Sequence, residues 1–235
     1  MEINKKINEI ILIYNTIIKG IEQIAIDDVN RAYGGVIRAA KGTFVEDITK
    51  LLIIIAWEEL GGKETRLTFT KETKKLKIEN KYINKLENKV IKDHIFANIS
   101  DYHFIIKADV HCNIDNELVI GVECKAYTEN AMLKRIMVDF TFMKKLWPNL
   151  NSFLLQLENF MGGDYAEIEK KINYGSKSTH TILSQFDVDL KIITLLEGNR
   201  HVDKPIHKKE YFKDLKAESL RNAVNEFKVV LKKYL

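Results

Sequence analysis

Asp109 and Glu123, two carboxylates able to hold a cation, and Lys125, an amine able to act on an anionic substrate, are the side chains with chemistry to offer. Their spacing obeys strand rules. From 103 to 127 the even positions read Phe104, Ile106, Ala108, Val110, Cys112, then Leu118, Ile120, Val122, Cys124 and Ala126, all apolar. A period of two predicts two half-buried strands, and Asn113, Asp115 and Asn116 supply hairpin turn chemistry between them. Asp109, Glu123 and Lys125 then share the opposite face. With Asp115, Asn116 and Glu117 as a three-residue loop, Ile114 pairs with Leu118, and Asp109 falls opposite Glu123. That register puts their Cβ atoms roughly 5 Å apart. Like charges so close destabilise a bare hairpin, so the pair asks for a cation, and two carboxylates suit hard Mg²⁺. The plainer alternative is a solvated sheet face on which Lys125 forms an ion pair with one of the acids.

Asp109 followed by Glu123-Cys124-Lys125 resembles the PD-(D/E)xK nuclease superfamily, the fold of most type II restriction endonucleases. Ala108 stands where the motif's name has proline. An acidic-x-Lys triplet carries little weight alone, since Glu72/Lys74, Glu87/Lys89, Glu169/Lys171, Asp189/Lys191, Asp214/Lys216 and Glu226/Lys228 also match it. Residues 123–125 differ in their strand context, in the acid on the paired strand and in the apolar reverse face.

The elements that must position these residues are also legible. Ile7, Ile10, Ile11, Tyr14, Ile17, Ile18, Ile21 and Ile24 recur at helical intervals, which predicts an N-terminal helix of the kind used for core or dimer contacts. After Gly34-Gly35 a second helix is expected from Phe44 to Leu60, closed by Gly61-Gly62. Short strands at Arg66–Thr70 and Lys74–Ile78 and a helix at Tyr82–Phe96 precede the hairpin. Beyond it come a helix from Ala131 to Leu146 stopped by Trp147-Pro148, strands at Ser152–Leu157 and Leu190–Leu196, and a C-terminal helix from Leu215 to Tyr234.

That order is similar to the superfamily's αβββαβ core, which implies an α/β fold: a mixed sheet flanked by helices, with extra N- and C-terminal helices. The whole chain, 1–235, reads as one nuclease domain, with the terminal helix in 1–32, the catalytic core in 43–157, and recognition loops plus the last helix in 158–235. The resemblance implies a Mg²⁺ ion held by Asp109, Glu123 and the backbone carbonyl of Cys124, with Lys125 positioning water or stabilising the transition state. It further implies hydrolysis of double-stranded DNA to 5′-phosphate and 3′-hydroxyl ends. Two active sites for two strands imply a homodimer on a short palindromic site. A structure-selective nuclease and a non-catalytic DNA-binding protein with an idle nuclease fold are the alternatives.

Two readings fit Glu46. The superfamily tends to place an acid on the helix before the first core strand, making Glu46 a fourth catalytic and metal-binding residue. Thr43-Phe44-Val45-Glu46 is also a capping box, in which Glu46 reaches back to its own helix start. His111 shares the face of Asp109, opposite Gly121, and is placed either near substrate or in a hydrogen bond to a carboxylate. DNA contacts are expected from Lys134 and Arg135 on the helix after the motif, from Lys177 in a polar loop spanning 171–181, and from Arg200, His201, Lys204 and Lys208 in a loop spanning 198–209.

Composition sets bounds. At 235 residues and 46% hydrophobic content the chain has material for a substantial core. A net charge of +4 is compatible with DNA binding without arguing for it. Cys112 and Cys124 both fall on the apolar face, as buried thiols of a reducing compartment do, and two cysteines make no zinc pattern. Charged residues interrupt the first helix as in no secretory signal, and the apolar run Leu51–Trp57 is far short of the ~20 residues of a membrane span, so a cytoplasmic location is expected.

Overall fold

The computed structural model describes residues 2–27, 33–162 and 175–235. In chain order the elements are α1 (Glu2–Asp27), α2 (Tyr33–Glu59), β1 (Leu67–Thr70), β2 (Lys74–Lys77), α3 (Asn80–Asn84), α4 (Lys89–Ala97), β3 (His103–Ile106), β4 (Val110–Ile114), β5 (Glu117–Thr128), α5 (Asn130–Leu146), β6 (Asn151–Asn159), α6 (Lys177–Leu183), β7 (Leu190–Thr194) and α7 (Ala217–Leu231). The sheet order is β1-β4-β5-β6-β7, with β2 and β3 forming a separate two-stranded ribbon. Strands β1, β4 and β5 pair antiparallel, and β6 and β7 add in parallel. Helix α5 is the crossover that a parallel β5–β6 pair requires. This is the expected mixed sheet flanked by helices, with α2, β1, β4, β5, α5 and β6 in αβββαβ order.

Both faces of the sheet are covered. On one, Ile7, Ile10, Tyr14 and Ile18 of α1 join Val45, Ile48 and Leu52 of α2 and Leu220, Val224 and Phe227 of α7, over Val110, Cys112, Val122, Phe153 and Leu155 of the strands. From Ile7 to Ile18 the apolar stripe of α1 therefore packs inward. On the other face Leu133, Ile136, Met137 and Phe140 of α5 close over Ile106, Ala108 and Leu154. Burial of each large side chain contributes about 1.5–3 kcal/mol. Phe140 approaches so closely that a Cβ on Gly121 would lie 3.2 Å from its ring. Helix α5 packs on β5 through that gap.

Several expectations need correction. Helix α2 starts at Tyr33, so Gly34-Gly35 and Thr43 lie inside it. The capping box at Thr43–Glu46 does not exist, because neither residue is at a helix start. The other end is as expected: Gly61, at φ +77, donates to Glu58 O and Gly62 to Trp57 O, a paired closure that satisfies two terminal carbonyls. The helix expected at Tyr82–Phe96 is two helices, α3 and α4, the second capped by the Asn88 side chain. The strand leading to Asp109 is likewise two, since β3 ends at Ile106 in the ribbon and β4 begins at Val110 in the main sheet. Phe104, expected in the core, is consequently exposed.

The hairpin turn is shorter than the expected loop. Asp115 and Asn116 both take positive φ, +51 and +67, and join Ile114 to Glu117 in a two-residue turn. Such a turn matches the strand twist and accepts Asp and Asn. Arg66 holds Asp115 through Nη2 at 2.7 Å and Nε at 3.0 Å. A bulge between Cys112 and Asn113 then shifts the pairing by one, giving Cys112↔Ile120, His111↔Gly121 and Val110↔Val122. Beyond the bulge the register is the expected one.

Candidate active site

Continuing that register one step sets Asp109 beside Glu123. Asp109 Oδ2 accepts from the Cys124 amide at 2.8 Å and from Lys125 Nζ at 2.7 Å. Lys125 Nζ also donates to Glu123 Oε2 at 2.6 Å. One ammonium thus lies between two carboxylates brought together from different segments. The main-chain bond fixes Asp109, which follows a two-residue link rather than a strand. Alternation along β5 puts Glu123, Lys125 and Tyr127 on the face toward α5, while Cys124 turns to the other core and touches Thr49 of α2 at 3.3 Å. Both cysteines are free thiols, and burial pushes that of Cys112 up to about 12.

Burial dominates the electrostatics. The Glu123 side chain is only 12% exposed, against 30% for Asp109 and 25% for Lys125. Desolvation pushes the Glu123 carboxyl up to about 7; Lys125 opposes the shift, and the negative charges of Asp109 and Asp139 add to it. For Lys125, burial lowers the pKa, but Glu123 and Asp109 outweigh it and hold the ammonium above its ordinary range. The face is therefore covered, unlike the solvated sheet face of the plainer alternative. Asp139, a residue sequence reasoning missed, reaches this cluster from α5, where burial raises its pKa against the pull of Arg135 and Lys125. Its signal in the sequence was the Arg135/Asp139 i,i+4 pair, 3.8 Å apart.

The remaining expected residues are dispersed. Glu46 does not join the Asp109–Glu123 pair: its carboxylate is held at 2.9 Å by Lys71, and Lys71 in turn feels the charge of Asp109. Among the described residues His111 meets no carboxylate. It is buried, and its Nε2 accepts the Ala108 amide at 2.9 Å, while its ring meets that of Trp147 edge-on. Lys134 and Arg135 are exposed on α5. Lys177 opens helix α6, capped by Ser176, instead of lying in a loop; positions 171–174 of that expected loop fall outside the described residues. His201, Lys204 and Lys208 lie in an exposed loop anchored by the buried Ile206. Arg200 is held more firmly: its guanidinium lies 4.0 Å from the ring centroid of Tyr127 and 5.3 Å from that of Phe160, and its amide donates to Asn159 O at 2.7 Å.

The donor set fits a hard divalent cation. Asp109 Oδ2 and Glu123 Oε2 both approach a single point within 2.7 Å, at present taken by the Lys125 ammonium, and one positive charge answers two negative ones there. Among the described residues no three acidic, histidine or cysteine side chains converge. Two carboxylates suit an ion that keeps several waters, as Mg²⁺ does, better than one that needs a full protein cage. Among the described residues, no helix is long and apolar enough to cross a membrane.

Comparison with known proteins gives one strong likeness. The type II restriction enzyme DdeI of Desulfomicrobium norvegicum is 45% identical over 226 residues, covering 94% of each chain. Among solved structures, the native BbvCI A2B2 tetramer aligns over 100% of this chain and 91% of its own at a TM-score of 0.35 and 14% identity. No protein-family model matches.

Proposed function

Since this chain belongs to the type II restriction enzymes, we propose that Asp109, Glu123 and Lys125 form the centre at which it hydrolyses double-stranded DNA at a short specific site. The observation that supports this reading most is the meeting of two carboxylates and one ammonium within 2.7 Å on the covered face of β5. Asp109, Glu123 and the Cys124 carbonyl would hold the metal, and Glu46 would serve a second ion if one binds beside Lys71. Mg²⁺ bound there supplies Lewis acidity, offsetting phosphate charge and making its bound water easier to deprotonate. Lys125 would donate to the phosphate oxygens, where negative charge grows as the bond from phosphorus to the 3′ oxygen breaks. Covered walls strengthen each of these interactions over what water would allow. The products are 5′-phosphate and 3′-hydroxyl ends.

Arg200, stacked on Tyr127 two residues along β5 from Lys125, grips the DNA next to the reacting phosphate. Lys134, Arg135, Lys177, His201, Lys204 and Lys208 give further contacts. Two copies, one for each strand, act as a homodimer.

Plasmid DNA incubated with the protein and Mg²⁺ tests the reading. Wild type yields discrete, reproducible fragments, and Asp109→Ala and Lys125→Ala yield none while retaining the wild-type circular dichroism spectrum. Wild-type rates from either folded variant defeat the assignment. Cuts confined to DNA junctions favour a structure-selective enzyme instead.

A further inference from the structure

The segment between Lys71 and Asp109 is one of two strongly basic stretches of this chain, the other being residues 199–235. Residues 71–107 hold nine lysines and five acids, an excess equal to the +4 net charge of the whole protein. The β2–β3 ribbon forms its base. Pairing sets Lys75 opposite Ile105 and Lys77 opposite His103 on one face, and Lys74 opposite Ile106 and Leu76 opposite Phe104 on the other.

The second face is the inner one: Ile106 is buried under α5, Lys74 lies 5.2 Å from the centroid of the Trp147 ring, and Phe104 meets Phe142. The first face has no covering element. Lys75, Lys77 and Ile105 are exposed, and Lys107 is exposed in the link beyond. None of these three lysines forms an ion pair with any described residue. By contrast Lys71, Lys125 and Lys145 each hold a carboxylate.

Both strands of the ribbon run into the candidate centre at the same end, where Lys74 pairs with Ile106. Lys71, three residues before β2, pairs with Glu46, and Asp109 stands three residues after the end of β3. Resting on the reading that this centre cuts DNA, we propose that the outer face of the β2–β3 ribbon is a DNA-docking surface, with Lys75, Lys77 and Lys107 set against the phosphates of the duplex being cut. Three considerations support the choice of occupant. The face is charged oppositely to a duplex, its lysines have no competing acid, and it is continuous through the chain with the residues assigned to the chemistry. A two-stranded ribbon is also of a size that the major groove admits. Contacts to phosphate position the duplex and raise affinity without reading its sequence.

The experiment compares wild type with Lys75→Gln/Lys77→Gln/Lys107→Gln and with a charge-matched control, Lys63→Gln/Lys232→Gln/Lys233→Gln, whose lysines are exposed and lie outside the ribbon. Binding is measured with chelator present, over a range of salt, on a fragment carrying a mapped cut site and on one without. The ribbon variant is expected to keep the wild-type melting temperature, to bind both fragments roughly tenfold or more weakly, and to lower the slope of log affinity against log salt by roughly 2–3, at about 0.9 per phosphate contact. An unchanged slope, or a loss no greater than the control's, overturns the proposal while wild-type cleavage leaves the nuclease reading standing. Wild type that neither binds nor cuts DNA overturns both.

Discussion

Ala108 donates its amide to His111 Nε2 at 2.9 Å, and by doing so closes the turn that presents Asp109. An imidazole that accepts this bond must be neutral and carry its proton on Nδ1. Burial holds its pKa below the ordinary 6.5. His111→Ala leaves a buried amide without a partner, a loss of about 1–3 kcal/mol. Chemical denaturation is expected to show that loss together with slower cleavage. Because the folded pKa is depressed, unfolded chains take up the proton first. The stability contributed is complete above pH 6.5 and is lost as pH falls through the folded value. A variant with wild-type stability and an unchanged pH profile would sink the account.

Glu123 sets function against stability. Its carboxyl is raised from 4.5 to about 7 by burial, so the native state binds the proton more tightly than the unfolded chain. Stability from this group is therefore greatest below pH 4.5 and declines as pH rises to about 7. Glu123→Gln removes the cost. Without divalent metal its thermal midpoint is expected to match wild type at pH 5 and exceed it at pH 8, while cleavage disappears. A variant less stable than wild type at pH 8 contradicts the desolvation argument.

Arg200 owes its pose to Tyr127 and Phe160, whose rings meet nearly at right angles, at 81°. Tyr127→Leu keeps bulk but removes the ring face that attracts the guanidinium, worth about 0.5–1 kcal/mol at such a site. DNA affinity is expected to fall roughly 2–5-fold with little change in melting temperature. An equal effect of Tyr127→Leu in an Arg200→Ala background would show that the two residues are not coupled.

Far from the centre, Glu59 of α2 is clamped by Arg221 and Lys228 of α7, the latter at 2.9 Å. Burial raises its pKa, yet the hydrogen bonds and charges of Lys228 and Arg221 outweigh that and leave it below 4.5. Its contribution is present above pH 4.5 and vanishes as pH falls through the folded value. Glu59→Gln is expected to cost about 1 kcal/mol near neutral pH and nothing at strongly acid pH. Urea midpoints across pH decide it.

Much of this was readable from side-chain period alone. The strands at 110–114 and 117–128, the helix behind them and the strand after it carry strong local patterns, and the triad followed from them. What eluded the sequence was tertiary. Phe104 continues the alternation of β4, yet lies in a different sheet, because pairing with Leu76 competes for the same residues. Thr43 has the chemistry of a cap, but Tyr33–Gly42 extends the helix past it despite three glycines. Nothing in the alternation of 103–127 tells that α5 covers the charged face, so the burial of Glu123 was invisible. Lys71, Asp139 and Tyr127 are separated in sequence from what they serve, and only the folded chain joins them.

The bulge at Cys112/Asn113 also has a genetic consequence. The short turn and the bulge offset one another, one residue fewer at the tip and one more in β5, so the Asp109 end of the hairpin keeps its frame. Val119 is the extra residue, unpaired between Leu118 and Ile120. Deleting it removes the bulge and nothing else: Cys112 still meets Ile120, and Asp109 still falls beside Glu123.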